Sequence, residues 1–516
     1  MASAAIFTVL AAMPAAPAGR QSAGMTATTA LLVRYAHQKV TWTDCRQGPS
    51  DTVGETLDQA GAQCATLQVP LDYSRPTGRA ISIAISRLKA TDTGHRVGAM
   101  LLNGGGPGGG SIDLPPDISS LMNGVGARYD LIGMDPRSSG RSTPVDCKWP
   151  ISTWMRSPGA SRRDFDAVVA LQRDLAGRCA RTNGALLPYI STRNTARDMD
   201  IVRAALGEPQ LSYYGASYGT YLGAVYAQMF PGRVGRMVLD SAVDPDDYGA
   251  EDMLADAAPA NESALHDWAT WTAGHNAEYH LGATRDSVLR TVDGIIATAA
   301  EQPLEVGDHR VDDQSLPFVL MNGLDSDQDE ASASLAAAVQ VLHQAAEGRA
   351  AEPTADLKDT LDFLFTGVES AAGSSQVAVL CGDKPVDRNP QAYWRRIQQA
   401  RVDRPVIGPL LNNISPCAFW PTAPRERPTR IDNGVPALIV NSTGDTRTTY
   451  QNAQSLHAKL TGSRLVTLQG ARIHAVFPRY ANNCVNDTIN DYFRTGVLPA
   501  TDLSCTRTSA APGPFP

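Results

Sequence analysis

Gly215-Ala216-Ser217-Tyr218-Gly219 is the stretch that most limits what this chain can fold into. Leu211 to Tyr214 before it is a short β-prone run. Tyr221 to Phe230 after it reads as an apolar helix that stops at Pro231-Gly232. A serine between a strand and a helix, with glycines two positions either side, sits on a turn too tight for neighbouring side chains. Its hydroxyl then stands clear at the sheet edge, where the helix N-terminus favours developing negative charge. A plain glycine-rich turn is the alternative, and the flanking strand and helix favour a nucleophile.

The 516 residues allow two domains, or one large domain with an insertion. A hydrophobic share of 43% against 19% charged fits a globular protein with a large core. The net charge of −8 disfavours a nucleic-acid partner, which calls for a basic domain or stripe. Residues 1–18 are expected to be a secretory signal. Ala4 to Ala18 is almost entirely small or apolar and ends in Ala16-Pro17-Ala18, although no basic residue precedes Arg20. No apolar run is long enough to span a membrane, so a secreted, extracellular protein is expected.

Cysteines at 45, 64, 147, 179, 381, 417, 484 and 505 form no C-x-x-C pair, which disfavours zinc ribbons and thioredoxin-type sites. An even count beside an export signal reads as disulfides. Of the many pairings possible, the sequential one is simplest: Cys45–Cys64, Cys147–Cys179, Cys381–Cys417 and Cys484–Cys505. Each closes about 20–40 residues and contributes on the order of 3 kcal/mol. Eight reduced, buried thiols in a cytosolic enzyme are the alternative.

A lead-in over 19–61 begins as extended chain to residue 44 and continues into a stapled loop at Cys45. Arg79 to Leu88 alternates apolar and polar residues, as a half-buried strand does. Ala99 to Leu102 is a fully apolar strand leading into Asn103-Gly104-Gly105-Gly106-Pro107-Gly108-Gly109-Gly110. That run contains G-x-G-x-x-G, but a dinucleotide fingerprint must open a helix, and the chain runs on to Pro115-Pro116 without a helical pattern. No G-K-[ST] follows, so a P-loop is excluded too. What fits is a loop that aims backbone N–H groups at an oxyanion.

Tyr129 to Asp135 is a further strand, 163–182 and 194–206 have helical spacing, and Arg236 to Asp240 is another strand. The strand–helix alternation of 62–245 breaks over 246–430, which is rich in alanine helices, without a run of strands, and reads as an inserted helical cap. It resumes over 431–505, with strands at 436–441 and 464–468; 506–516 is expected to be a flexible tail. The alternation argues for an α/β fold with a mostly parallel sheet.

A serine hydroxyl needs a base to take its proton, usually a histidine oriented by a carboxylate. The chain order for such a fold is Ser, Asp/Glu, His. Strand 436–441 is followed by Asp445 and strand 464–468 by His474, the only one of nine histidines just past a late strand. Asp432 and Asp491 are rival carboxylates, but Asp445 sits at a strand's C-terminal end. The oxyanion is expected to be received by the N–H of Tyr218 and one from Gly105 or Gly106, about 3–4 kcal/mol per donor. No metal or organic cofactor is required.

Together these motifs resemble the secreted tripeptidyl-aminopeptidase-like serine hydrolases of actinomycetes, relatives of prolyl aminopeptidase within the α/β-hydrolases. The resemblance rests on CATLQVPLDY at 64–73, NGGGPGGGS at 103–111, DPRSSGRSTPVDC at 135–147, YYGASYGTYLGAVYAQMFP at 213–231, VLDSAVDP at 238–245, CGD at 381–383 and GDTRTTY at 444–450. It implies an α/β-hydrolase core, a helical cap, disulfides, and release of short peptides from free N-termini, with Ser217, Asp445 and His474 as the catalytic set. Two departures stand out. Gly470-Ala471-Arg472-Ile473-His474-Ala475 replaces the small-residue G-x-G-H-G usual at the histidine, and Ser138 stands where glycine is common in the turn after residue 135.

An exopeptidase of this kind must read a free ammonium group, for which Asp383 and Glu251 are candidates. The competing reading is a carboxylesterase or lipase-like hydrolase using the same triad on a small acyl substrate. A catalytically silent binding protein on the same scaffold is disfavoured because all three triad residues are present.

Overall fold

The computed structural model describes residues 32–508. The expected signal segment 1–18 lies outside these residues. So does most of the expected tail.

A nine-stranded sheet forms the backbone of the protein, in the order β1-β2-β4-β3-β5-β6-β9-β10-β11. Its strands are β1 (Gln63–Pro70), β2 (Ala80–Leu88), β3 (Gly98–Asn103), β4 (Tyr129–Met134), β5 (Leu211–Ala216), β6 (Val234–Asp240), β9 (Leu438–Ser442), β10 (Arg464–Gln469) and β11 (Leu503–Thr506). The first two pairings, β1 with β2 and β2 with β4, are antiparallel; all later ones are parallel. Burial follows from position in the sheet. β3, β4, β5 and β9 are buried at every residue, so they read as mostly apolar runs, as strands covered on both faces do. β1 alternates buried and exposed residues because it lies at the sheet edge.

Residues 252–419 supply a largely helical block with its own apolar core around Trp268, Val288, Ile295, Leu335 and Leu361. It also contains a small hairpin, β7 (Leu304–Val306) with β8 (His309–Val311). The helix Ser370–Asp383 differs from its neighbours: Val377, Ala378 and Leu380 join the core beneath the sheet. Four disulfides join Cys45–Cys64, Cys147–Cys179, Cys381–Cys417 and Cys484–Cys505. Among the described residues, no helix is long and apolar enough to cross a membrane.

Several expectations need correcting. The lead-in is not wholly extended, since 32–36 form a helical turn whose Tyr35 hydroxyl donates to Pro76 O. The Cys45–Cys64 loop holds a helix, Thr52–Gln59, capped by Asp51. A helix, Leu114–Leu121, also starts at Pro115-Pro116, where the sequence shows no helical pattern. Prolines suit the first helical positions, whose N–H groups have no partner inside the helix. The ordered chain extends past Cys505: Thr506 completes β11, and Arg507 pairs with Asp327 at 2.5 Å.

Candidate active site

β5 ends in the serine turn, and its glycines are there by necessity. A Cβ on Gly215 would stand 2.5 Å from the Tyr213 ring and 2.6 Å from Gly219 O; one on Gly219 would stand 2.8 Å from Asn103 O. Ser217 itself has φ 55° and ψ −125°, a conformation an L-residue adopts only when its surroundings enforce it. Its N–H donates to Asp240 O at 2.9 Å, tying the turn to the end of β6.

The glycine loop after β3 lies directly against the serine. A Cβ on Gly105 would come 2.8 Å from Ala216 O and 2.9 Å from Ser217 Cβ, so no other residue fits there. Asn103 distinguishes the two glycines. Its Oδ1 accepts the Gly105 N–H at 3.1 Å, while the N–H groups of Gly106 and Tyr218 have no partner among the described residues. Of the two glycines left open by the sequence, Gly106 is the one with a free N–H.

Asp445 follows β9 and is almost wholly buried. Oδ1 accepts the Arg447 and Thr448 N–H groups at 2.8 and 3.0 Å, and Oδ2 accepts the Thr448 hydroxyl at 3.0 Å. His474 follows β10, with Nδ1 3.0 Å from Asp445 Oδ2 and 3.1 Å from Oδ1. The loop after His474 is anchored beside the serine turn. Val476 and Phe477 donate their N–H groups to the Asp240 carboxylate at 2.9 and 2.8 Å, and Ala475 N–H donates to Ser241 Oγ at 2.8 Å. Burial raises the Asp240 carboxyl above its usual range, against the pull of these donors and of His474.

The structure thus brings Asp445 and His474 into contact and anchors the histidine loop and the serine turn to one residue, Asp240. Among the described residues, Ser217 Oγ and the imidazole form no hydrogen bond. The rival carboxylates lie elsewhere: Asp432 faces Arg430 at 3.7 Å on the surface, and Asp491 pairs with Arg494. Thr448, Asn103 and Asp240 escaped the sequence reading. No local spacing marks them, because each acts on a residue distant in the chain or through a side-chain rotamer.

Neither candidate ammonium reader is free. Asp383 accepts the Thr192 N–H at 2.8 Å and its hydroxyl at 2.5 Å. Burial pushes its carboxyl up to about 7, despite the opposing pull of those bonds and of Arg193. It borders a cavity of about 630 Å³, lined also by Arg193, Tyr221 and Glu426, that none of Ser217, Asp445 and His474 lines. Glu251 is engaged by the Tyr393 hydroxyl, by the Asp387 N–H at 3.1 Å and by Arg396 at 3.3 Å.

Residues 404–505 match the family model described as "TAP-like protein". The chain is 35% identical over 493 residues to a tripeptidyl aminopeptidase of Streptomyces lividans, covering 92% of this chain and 87% of the relative. It is 29% identical to serine protease Hip1 of Mycobacterium tuberculosis, covering 91% of each chain. It is 31% identical to carboxylesterase B of the same organism, covering 90% of this chain and 89% of the relative.

Proposed function

Since the chain belongs to the tripeptidyl-aminopeptidase-like family of serine hydrolases within the α/β-hydrolases, we propose that it is a secreted exopeptidase releasing short peptides, tripeptides foremost, from free N-termini. Ser217 is the nucleophile, His474 the base and Asp445 its orienting carboxylate. On substrate binding the Ser217 hydroxyl closes onto His474 Nε2, a contact that often tightens only in the complex. Nε2 takes the hydroxyl proton as Oγ bonds to the scissile carbonyl carbon. The oxyanion is received by the N–H groups of Gly106 and Tyr218, each worth about 3–4 kcal/mol. The C–N bond then breaks, and His474 returns the proton to the departing amine. Water, deprotonated by the same imidazole, hydrolyses the acyl-enzyme and frees Ser217.

The observation that carries this reading is the Asp445–His474 pair, whose histidine is followed by Val476 and Phe477 on the carboxylate of the same Asp240 whose carbonyl holds the Ser217 N–H. Secretion is supported by the four disulfides, which persist in oxidising compartments. Turnover of a tripeptide p-nitroanilide, its N-blocked form and a short-chain p-nitrophenyl ester tests the substrate class. Fast cleavage of the free peptide and slow cleavage of the blocked one is expected. Equal rates on both peptides would overturn the exopeptidase assignment. Dominant ester turnover would favour the carboxylesterase reading, which the 31% identity to carboxylesterase B supports.

A further inference from the structure

Arg472 lies in the segment around His474 that departs from the family pattern, and the structure gives it a definite occupation. It is buried, and its Nη1 donates to two carbonyls of the helical block, Leu324 O at 2.8 Å and Ser326 O at 2.9 Å. The backbone around it joins the same segment. Arg472 N–H donates to Asp327 Oδ2 at 3.0 Å, Asp327 N–H donates to Arg472 O at 2.8 Å, and Ile473 bridges Ser326.

The adjoining contact involves the histidine itself. His474 N–H donates to Asp325 O at 3.1 Å. Its carbonyl accepts from Arg479 Nη1 at 3.2 Å, and that nitrogen lies 2.7 Å from Asp325 Oδ2. Asp325 therefore holds the His474 backbone at both ends, directly at the N–H and through Arg479 at the carbonyl. Arg447, two residues after Asp445, reaches the same region, donating to Met321 O at 3.0 Å. Other polar contacts join the helical block to the core elsewhere, Gln314 to Asp164 O and Asn413 to Arg156 O among them; this group falls on the two loops that carry Asp445 and His474.

We propose that the segment Leu324–Asp327 is part of the mounting of the catalytic base, with Arg472 and Asp325 as positioning residues that aim the His474 imidazole at Ser217. This rests on His474 being the base. Loss of the Arg472 pin displaces the imidazole without touching the substrate. Small misplacements of a reacting group cost up to about 100-fold in rate.

The full-length oxidised protein, its active sites titrated with a fluorophosphonate, is assayed on a tripeptide p-nitroanilide as wild type, Arg472→Met, Arg472→Lys and Arg507→Gln. Arg472→Met is expected to lower kcat about 10- to 100-fold with KM within about twofold, and to slow fluorophosphonate labelling by the same factor. Arg472→Lys can still donate to both carbonyls and recovers most of the rate. Arg507→Gln removes an exposed ion pair to the Asp327 side chain and leaves the Arg472 and Asp325 bonds in place, so kcat stays within about twofold and the melting temperature changes little. Should Arg472→Met not fold, Asp325→Asn takes its place, with kcat expected to fall about 3- to 10-fold at unchanged KM. Unchanged kcat per titrated site, a rise in KM alone, or no recovery with lysine overturns the proposal. Labelling of Ser217→Ala as fast as wild type would overturn the underlying assignment of the nucleophile instead, so the two failures are distinguishable.

Discussion

Replacing Asp383 with asparagine is expected to make the protein more stable at alkaline pH, and the structure sets the size of the effect. The carboxyl is buried against Thr192 and Tyr248, and burial lifts it from 3.8 to about 7. The unfolded chain gives up this proton near pH 4, while the folded one retains it until about pH 7. The unfolded state thus binds fewer protons in between, and stability falls as pH rises through that window. From pH 5 to pH 8 the loss attributable to this one group is on the order of 2–3 kcal/mol. Asparagine keeps the acceptor for the Thr192 N–H and presents a donor to the Thr192 hydroxyl, as a protonated carboxyl does. It has no charge to desolvate at any pH. Guanidinium unfolding of wild type and variant, followed by tryptophan fluorescence at pH 5 and pH 8, isolates the group because all other titrations cancel in the difference. The variant is expected to gain on the order of 2–3 kcal/mol on the wild type between the two pH values. A difference that stays constant with pH, within about 0.5 kcal/mol, would refute the reasoning that the buried carboxyl retains its proton.

Three further outcomes are expected. Gly105→Ala forces a Cβ to within 2.8 Å of Ala216 O and 2.9 Å of Ser217 Cβ, and should slow fluorophosphonate labelling at least about 100-fold while circular dichroism is unchanged. Thr448→Val removes the hydroxyl that donates to Asp445 Oδ2 and should lower kcat about tenfold, with KM unaltered. At Ser138, where φ is 79°, glycine relieves strain while losing the 2.6 Å hydroxyl contact to Ser375. Ser138→Gly should therefore shift thermal stability by less than about 1 kcal/mol, and Ser138→Val should cost about 2–3 kcal/mol.

What could be read from the sequence was whatever is enforced locally. The serine turn announces itself because its two glycines are demanded by atoms within a few residues and by Asn103 of the adjacent strand. Asp445 and His474 were legible because each follows a strand with a buried, mostly apolar centre. The edge strands β1 and β11 lacked that signal: one alternates and the other is four residues long. The choice of Gly106 over Gly105 hangs on one amide side chain, and glycine spacing carries no trace of it. The Arg472–Leu324 contact joins residues 148 apart. In the sequence, Arg472 showed only as an oddity. Ser138 showed in the same way, as a departure at a position whose left-handed backbone explains why glycine is common there. Asp383 and Glu251 looked available because a sequence shows that a carboxylate exists, and not which neighbours already occupy it.

Asp240 carries a consequence for how this site tolerates motion. Its main-chain oxygen holds the turn of Ser217, and its two carboxylate oxygens hold the peptide groups just beyond His474. Ser217 and His474, separated by about half of the polymer, are thereby surveyed from one benchmark. When β6 shifts or breathes, both are carried along together, so the gap between them varies less than the position of either.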